Sequence, residues 1–243
     1  MRASGADTAG AGNRKRLLLI SNSICHGRPY LDHCADAIRQ FLGDGATVTF
    51  VPYAAKDWDG YARQVRGALA GFGLKIESVH ETGPWPHTLP ANPALFVGGG
   101  NTFRLLKTLQ DGGLLGQIRR RVLDGMLYMG SSAGANLACP TIKTTNDMPI
   151  VQPANFNALG LVGFQINPHY IDADPGSRHM GETREKRIAE FHEENDQTVI
   201  GLREGSWIVV DQDRATLHGE TGARVFVKGN PPAEWDRAID WPA

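Results

Sequence analysis

Residues 128–140 read "YMGSSAGANLACP", and the turn they encode organises the reading of the whole chain. The apolar run "MLYMG" (126–130) that leads into it has the length and composition of a buried strand, while the small residues behind it open a helix. A strand that turns abruptly into a helix is the repeating joint of an α/β architecture.

The same joint recurs in both directions. "RLLLIS" (16–21), "ATVTFVPYA" (46–54), "KIESVH" (75–80) and "ALFVGGG" (94–100) read as strands. Residues 30–42, 61–72, 102–110 and 114–123 carry helical spacing, with Leu31, Ala35, Ile38 and Leu42 on one face of the first. Strict alternation of this kind predicts a mostly parallel sheet with helices on both faces. Beyond it come "GFQINPH" (163–169), the charged helix "GETREKRIAEFHEEN" (181–195), and the close-set strands "TVIGL", "SWIVVD", "ATLHG" and "ARVFV". These last are expected to extend the sheet with antiparallel pairs at its C-terminal end. A loose leader over residues 1–14, rich in small and polar residues, precedes a single α/β domain over 15–243.

Bulk properties restrict the partners. A formal net charge of -1 and a pI near 6.7 provide no basic field, which argues against nucleic acid and anionic membranes. No window reaches the roughly 18 consecutive apolar residues of a spanning helix. Cys25, Cys34 and Cys139 are odd in number and lack paired spacing, against both a disulfide framework and a CxxC metal site. A soluble cytoplasmic protein with a small-molecule partner is expected.

The opening motif also carries chemistry. A serine nucleophile must project its hydroxyl from a sharp strand-to-helix turn, and small residues two before and two after it let the backbone crowd together. Gly130-x-Ser132-x-Gly134 satisfies that demand; Ser131 does not, because Met129 lies two positions before it. The backbone N–H of Ala133, at the start of the following helix, would face a developing oxyanion. The run Gly98-Gly99-Gly100 also closes a strand, and in a parallel sheet such carboxyl-end loops lie together, so it is placed as the second oxyanion donor. The plainer alternatives are a packing turn for the first motif and a flexible turn for the second. A phosphate loop is excluded, since the Lys-Ser/Thr of a P-loop is missing.

A serine needs a base, and the chain offers eight histidines. Only His169 ends a strand that Asn167-Pro168 interrupts, at a sheet margin. A carboxylate must orient that histidine, and Asp147 in "TTNDMPIV" and Glu204 in "GLREGSWI" both border apolar strands. Spacing does not separate the two, and chain order places no constraint on a triad.

"FVGGGNTFRLL" (96–106), "GSSAGANLACPTIKTTNDMPIV" (130–151), "QINPHY" (165–170), "GETREKRI" (181–188) and "VIGLREGSWI" (199–208) together closely resemble peptidase E, the α-aspartyl dipeptidase family of serine peptidases. The likeness runs from "LLLISNS" to "GSWIVVD", most of the chain, with five motifs in order. It implies a flavodoxin-like or class I glutamine amidotransferase-like α/β fold, Ser132 as nucleophile, His169 as base and Glu204 as orienting acid. It further implies Gly99 and Ala133 as oxyanion donors, Asn101 and Arg184 as substrate-binding residues, Asp147 as a secondary candidate, and no metal or cofactor. Without the resemblance, Arg184 reads as a solvated helix arginine paired with neighbouring glutamates. The chain departs from the family at Ser131, where a bulky aromatic often precedes the nucleophile.

The implied substrate is a small peptide with an N-terminal aspartate, whose side chain a guanidinium can grip bidentately. Three other readings remain: a related serine peptidase acting on β-aspartyl or cyanophycin-like substrates, a carboxyl-ester hydrolase, and a non-catalytic module binding aspartyl ligands. A homodimer is compatible with all of them.

Overall fold

β1 (Arg16–Ile20) is built to serve two cores at once. Successive side chains of a strand point to opposite faces, so Leu17 and Leu19 pack on one side and Leu18 and Ile20 on the other, all fully buried. Such a strand is apolar at consecutive positions because both of its faces are covered. In the computed structural model the described residues are 15–174, 176, 181–235 and the backbone of 241–242; the leader expected at 1–14 lies outside them.

Four further strands run parallel to β1: β2 (Thr47–Val51), β3 (Lys75–Ser78), β4 (Ala94–Val97) and β5 (Leu127–Ser131). Their spatial order is β1-β5-β4-β2-β3, which leaves β1 next to β5. Helices α1 (Ala35–Leu42) and α2 (Trp58–Ala70) bury Ile38, Phe41, Val65 and Leu69 against Leu18, Ile20 and Phe50 on one face. Helices α3 (Thr102–Asp111), α4 (Leu114–Leu123) and α5 (Ala133–Leu137) cover the other. Each such leucine or phenylalanine contributes about 1.5–3 kcal/mol by leaving water, which is why the sandwiched sheet holds the site rigidly. No helix among the described residues is long and apolar enough to cross a membrane.

The C-terminal part adds β6 (Gln165–Tyr170), α6 (Arg184–Glu194), β7 (Val199–Arg203), β8 (Ser206–Asp211), β9 (Arg214–Gly219), β10 (Ala223–Phe226), β11 (Ala233–Trp235) and β12 (Trp241–Pro242). As expected, antiparallel strands extend the main sheet: β8 pairs with β1, β9 with β8 and β12 with β9. The other strands do something the alternation did not reveal. β6, β7, β10 and β11 form a second sheet in the order β11-β10-β7-β6, with β6 and β7 parallel. The chain changes sheet at Gly205, whose φ of 81° suits the reversal without a side-chain penalty. β1 has one open edge, filled by β8 in the register Ile20 to Trp207, while both edges of β7 are taken by β6 and β10. Gly201 lets the rings of Tyr170 and Phe226 lie close over β7; a Cβ there would sit 2.6 Å from the Tyr170 ring.

This topology converges on one edge. β4, β5 and β1 are neighbours and all end there, at Val97, Ser131 and Ile20. Because β8 is antiparallel to β1, it begins where β1 ends, and the preceding turn at Glu204-Gly205 arrives at the same margin.

Candidate active site

Ser132 follows directly on β5 with φ 54° and ψ −111°, the strained backbone of a sharp strand-to-helix elbow. The surrounding glycines are required by contact. A Cβ on Gly130 would run into the carbonyl of Gly134, and a Cβ on Gly134 into the carbonyl of Val97 on β4. The turn is held by main-chain bonds from Ser132 N–H to the Ile20 carbonyl (2.9 Å) and from Asn136 N–H to the Ser132 carbonyl (3.0 Å). From beneath, the buried Tyr128 hydroxyl donates to the Gly134 carbonyl at 2.7 Å.

His169 occupies an irregularity in the β6–β7 ladder, where the register shifts between Pro168 and Tyr170. Its φ of 53° takes the residue out of the extended pattern, a re-aiming typical of strand bulges beside functional sites. The N–H freed from the ladder donates instead to Ser21 Oγ (3.0 Å), which in turn donates to the Leu202 carbonyl (2.8 Å). One serine at the end of β1 therefore pins the second sheet to the first. So placed, the imidazole lies with Nε2 2.9 Å from Ser132 Oγ and Nδ1 2.6 Å from Glu204 Oε1. An ionised carboxylate only accepts, so Nδ1–H donates to Glu204 and the lone pair of Nε2 is left facing the serine hydroxyl.

Glu204 is fixed through its backbone. The Thr221 hydroxyl donates to its carbonyl, and Asn22 Oδ1 accepts the neighbouring Gly205 N–H at 2.8 Å. The imidazole and carboxylate retain 38% and 54% of their side-chain exposure, so the row opens to solvent and a small substrate can reach it.

Gly99 packs against Ser132: a Cβ there would lie 3.1 Å from Ser132 Cβ. Its amide also faces the Tyr61 hydroxyl; that phenol's pKa is raised by burial, against the opposing hydrogen bonds of Tyr30 and of Gly99. Ala133 is the first residue of α5 and is buried behind the elbow. Asp147 is not brought to His169. Its Oδ2 accepts from Thr102 N–H (2.7 Å), Thr102 Oγ1 (2.6 Å) and Thr145 Oγ1 (3.1 Å), at the start of α3. Asn101 caps that helix, its Oδ1 accepting from Arg104 N–H at 3.0 Å and its Nδ2 donating to the Met148 carbonyl at 2.8 Å.

Arg184 begins α6, behind the cap formed by Thr183 Oγ1 on Lys186 N–H. It lines a cleft of about 620 Å³ together with Asn146, Ile171, Asp172, Glu182 and Arg187, among others. The cleft does not include the serine itself; it adjoins the site through Ile171, two residues beyond His169, and through Asn146, whose Nδ2 donates to the Pro168 carbonyl at 2.6 Å. Burial, and then the like charge of Arg187, lower the pKa of Arg184 from its ordinary value. Among the described residues one acidic and histidine group has metal-ligand spacing, Asp59, His80 and Glu81. His80 is already engaged there by Ser78 and Asp59, and Glu81 by Arg66. Ser21, Asn22 and Thr221 were not anticipated from sequence, since short polar residues at strand ends are too common to single out.

Residues 17–218 match the profile of peptidase family S51. The chain is 56% identical over 218 residues to peptidase E of Streptomyces coelicolor, covering 90% of each protein. It is 46% identical over 215 residues to a Drosophila melanogaster protein named "Probable alpha-aspartyl dipeptidase", covering 87% of this chain and 90% of that one. The crystal structure of a peptidase from an acI-B1 actinobacterium shares the fold, with a TM-score of 0.67 at 15% identity over 96% of this chain and 98% of that one.

Proposed function

Because the chain belongs to peptidase family S51, we propose that it is a serine dipeptidase cleaving the bond after an N-terminal aspartate, with Ser132, His169 and Glu204 as its catalytic residues. The observation that carries the assignment of roles is the unbroken row Ser132 Oγ, His169 Nε2, His169 Nδ1, Glu204 Oε1, with steps of 2.9 and 2.6 Å across the ring.

The geometry supports a two-step acyl transfer. His169 Nε2 takes the hydroxyl proton as Ser132 Oγ attacks the aspartyl carbonyl carbon, and Glu204 stabilises the imidazolium that forms. The oxyanion is received by the N–H groups of Ala133 and Gly99, the latter exchanging the Tyr61 hydroxyl for the substrate. The imidazolium then gives its proton to the departing amine, and the C–N bond breaks. Water enters, loses a proton to His169, attacks the ester carbonyl and releases aspartate, returning the proton to Ser132. The strained elbow keeps the hydroxyl clear of the helix so that little reorganisation is needed at attack.

Specificity is assigned to Arg184. The relatives include one named for α-aspartyl dipeptides, and Arg184 stands in the cleft adjoining His169 as a guanidinium able to grip a carboxylate bidentately. Asn101, tied to α3 and to Met148, is given the lesser role of shaping the approach to Gly99.

Hydrolysis of Asp-, Asn-, Glu- and Leu-anilides by the wild type and Arg184→Ala tests the reading. The wild type is expected to prefer the Asp-anilide, and the variant to lose about 1.5–3 kcal/mol of that preference, the range for hydrogen bonds to charged groups. Equal rates on all four anilides by the wild type would remove carboxylate recognition.

A further inference from the structure

The cleft that holds Arg184 is not short of acids. Asp172, Asp174 and Glu182 line it too, and Glu185 follows Arg184 in the chain. A free carboxylate within reach would neutralise Arg184 and occupy the very donors a substrate carboxylate needs. Yet among the described residues Arg184 has no carboxylate partner, because the acids are held elsewhere.

Asp172 is the decisive one. Arg203 grips it with both arms, Nε to Oδ2 at 2.7 Å and Nη2 to Oδ1 at 2.9 Å, and Arg224 Nη1 stands 3.7 Å from Oδ1. The same Arg203 holds Glu234 at 2.8 and 2.9 Å, so its fork is doubly committed and its side chain is mostly buried. Glu185 is drawn to Arg224 at 3.1 Å. Glu182 is shared by Lys186 at 3.5 Å and Arg187 at 3.9 Å, and Asp174 accepts from Gly176 N–H. The hydrogen bonds of Arg203 keep Asp172 ionised below the usual carboxylate range. Asp172 and Glu185 are thus turned toward Arg203 on β7 and Arg224 on β10, while Glu182 and Asp174 are occupied within α6 and the loop before it.

We propose that Arg203 is a positioning residue for substrate recognition: by clamping Asp172 it keeps that carboxylate off Arg184, leaving Arg184 as the open cation for the aspartyl side chain. The inference rests on the assignment of Arg184 to the substrate carboxylate. It goes further by naming a residue outside the catalytic row that sets how strongly aspartate is preferred. The clamp is geometric as well as electrostatic, because two parallel bonds to a planar fork fix the direction of the carboxylate and a single ammonium would not.

The test is steady-state hydrolysis of Asp-anilide, with Leu-anilide as control, by wild type, Arg203→Met, Arg203→Lys, Asp172→Asn, Arg203→Met/Asp172→Asn and Arg184→Ala. Arg203→Met is expected to raise KM for Asp-anilide about tenfold with kcat changed less than about threefold, since released Asp172 competes for Arg184. Adding Asp172→Asn should return KM to within about threefold of wild type, as removal of the competing charge relieves the block. Arg203→Lys should give an intermediate KM, which keeps the question open to measurement if the methionine variant folds poorly. Because Glu204 follows Arg203 in the chain, simple disturbance of the catalytic row would instead lower kcat at unchanged KM, and that result overturns the proposal. So does a raised KM that Asp172→Asn leaves in place. If Arg184→Ala leaves the preference for Asp-anilide intact, the underlying assignment has failed, and this is seen in a separate arm.

Discussion

Glu204 Oε1 lies 2.6 Å from His169 Nδ1, on the side of the imidazole away from Ser132. The alternative carboxylate, Asp147, spends its Oδ2 on Thr102 and Thr145 instead. The two acids are thus separated by what they hold, a ring in one case and a helix end in the other, and they make different predictions.

Glu204→Gln removes an obligate acceptor and lets an amide N–H meet Nδ1, favouring the wrong tautomer. It is expected to lower kcat by about a hundredfold or more. Asp147→Ala should change kcat far less and cost about 1 kcal/mol of stability through the acceptor lost at the start of α3. Steady-state rates of both variants, with denaturant unfolding, check the pair.

Gly99 stands where a side chain would crowd its neighbours. An added methyl would lie 3.1 Å from Ser132 Cβ and 3.3 Å from the Ser131 carbonyl, closer than ordinary packing. Gly99→Ala is therefore expected to displace the hydroxyl and lower kcat by about tenfold to a hundredfold, with a small change in Tm. Single-turnover rates and a thermal melt on the same preparation distinguish crowding from unfolding.

Ser131, directly under the elbow, carries a buried hydroxyl that has no hydrogen-bond partner among the described residues. Burying such a group unpaired costs about 1–3 kcal/mol. Ser131→Ala should accordingly gain about 1 kcal/mol in urea unfolding and keep kcat within about twofold, whereas a loss of stability would show that the hydroxyl is satisfied after all.

His87 is buried beside Tyr53, and the separation of His87 Nδ1 from the tyrosine Oη is 2.6 Å. Burial raises the Tyr53 pKa, so the phenol stays a donor and the imidazole must accept. Burial, then the charge of His80, lowers the His87 pKa from 6.5. The unfolded chain thus takes up the proton first as pH falls. Stability is present above pH 6.5 and declines below it, toward the depressed folded value. His87→Gln keeps the acceptor but does not titrate, and should show a smaller fall in Tm between about pH 7.5 and 5.5.

What sequence revealed, and what it withheld, follows the range of the forces involved. The sharp turn at Ser132 was legible because its steric demand lies largely within four residues, where a Cβ on Gly130 would meet the Gly134 carbonyl. The parallel strands were legible because alternation of strand and helix restricts their arrangement. His169 and Glu204 are 35 residues apart, and their meeting depends on β6 and β7 pairing in a second sheet that strand patterns alone did not announce. For the same reason spacing could not choose between Glu204 and Asp147. Arg203 and Asp172, 31 residues apart, belong to that hidden sheet as well. A strand pattern tells which face is apolar, but not which partner will cover the edge.

The most direct test of the account is covalent. Rapid quenching of the enzyme with an Asp-ester, followed by mass spectrometry of the peptide containing Ser131 and Ser132, is expected to show one aspartyl group attached at Ser132, absent in Ser132→Ala and present in Ser131→Ala. Turnover at wild-type rate by a folded Ser132→Ala enzyme, or an adduct on any other residue, would contradict the account.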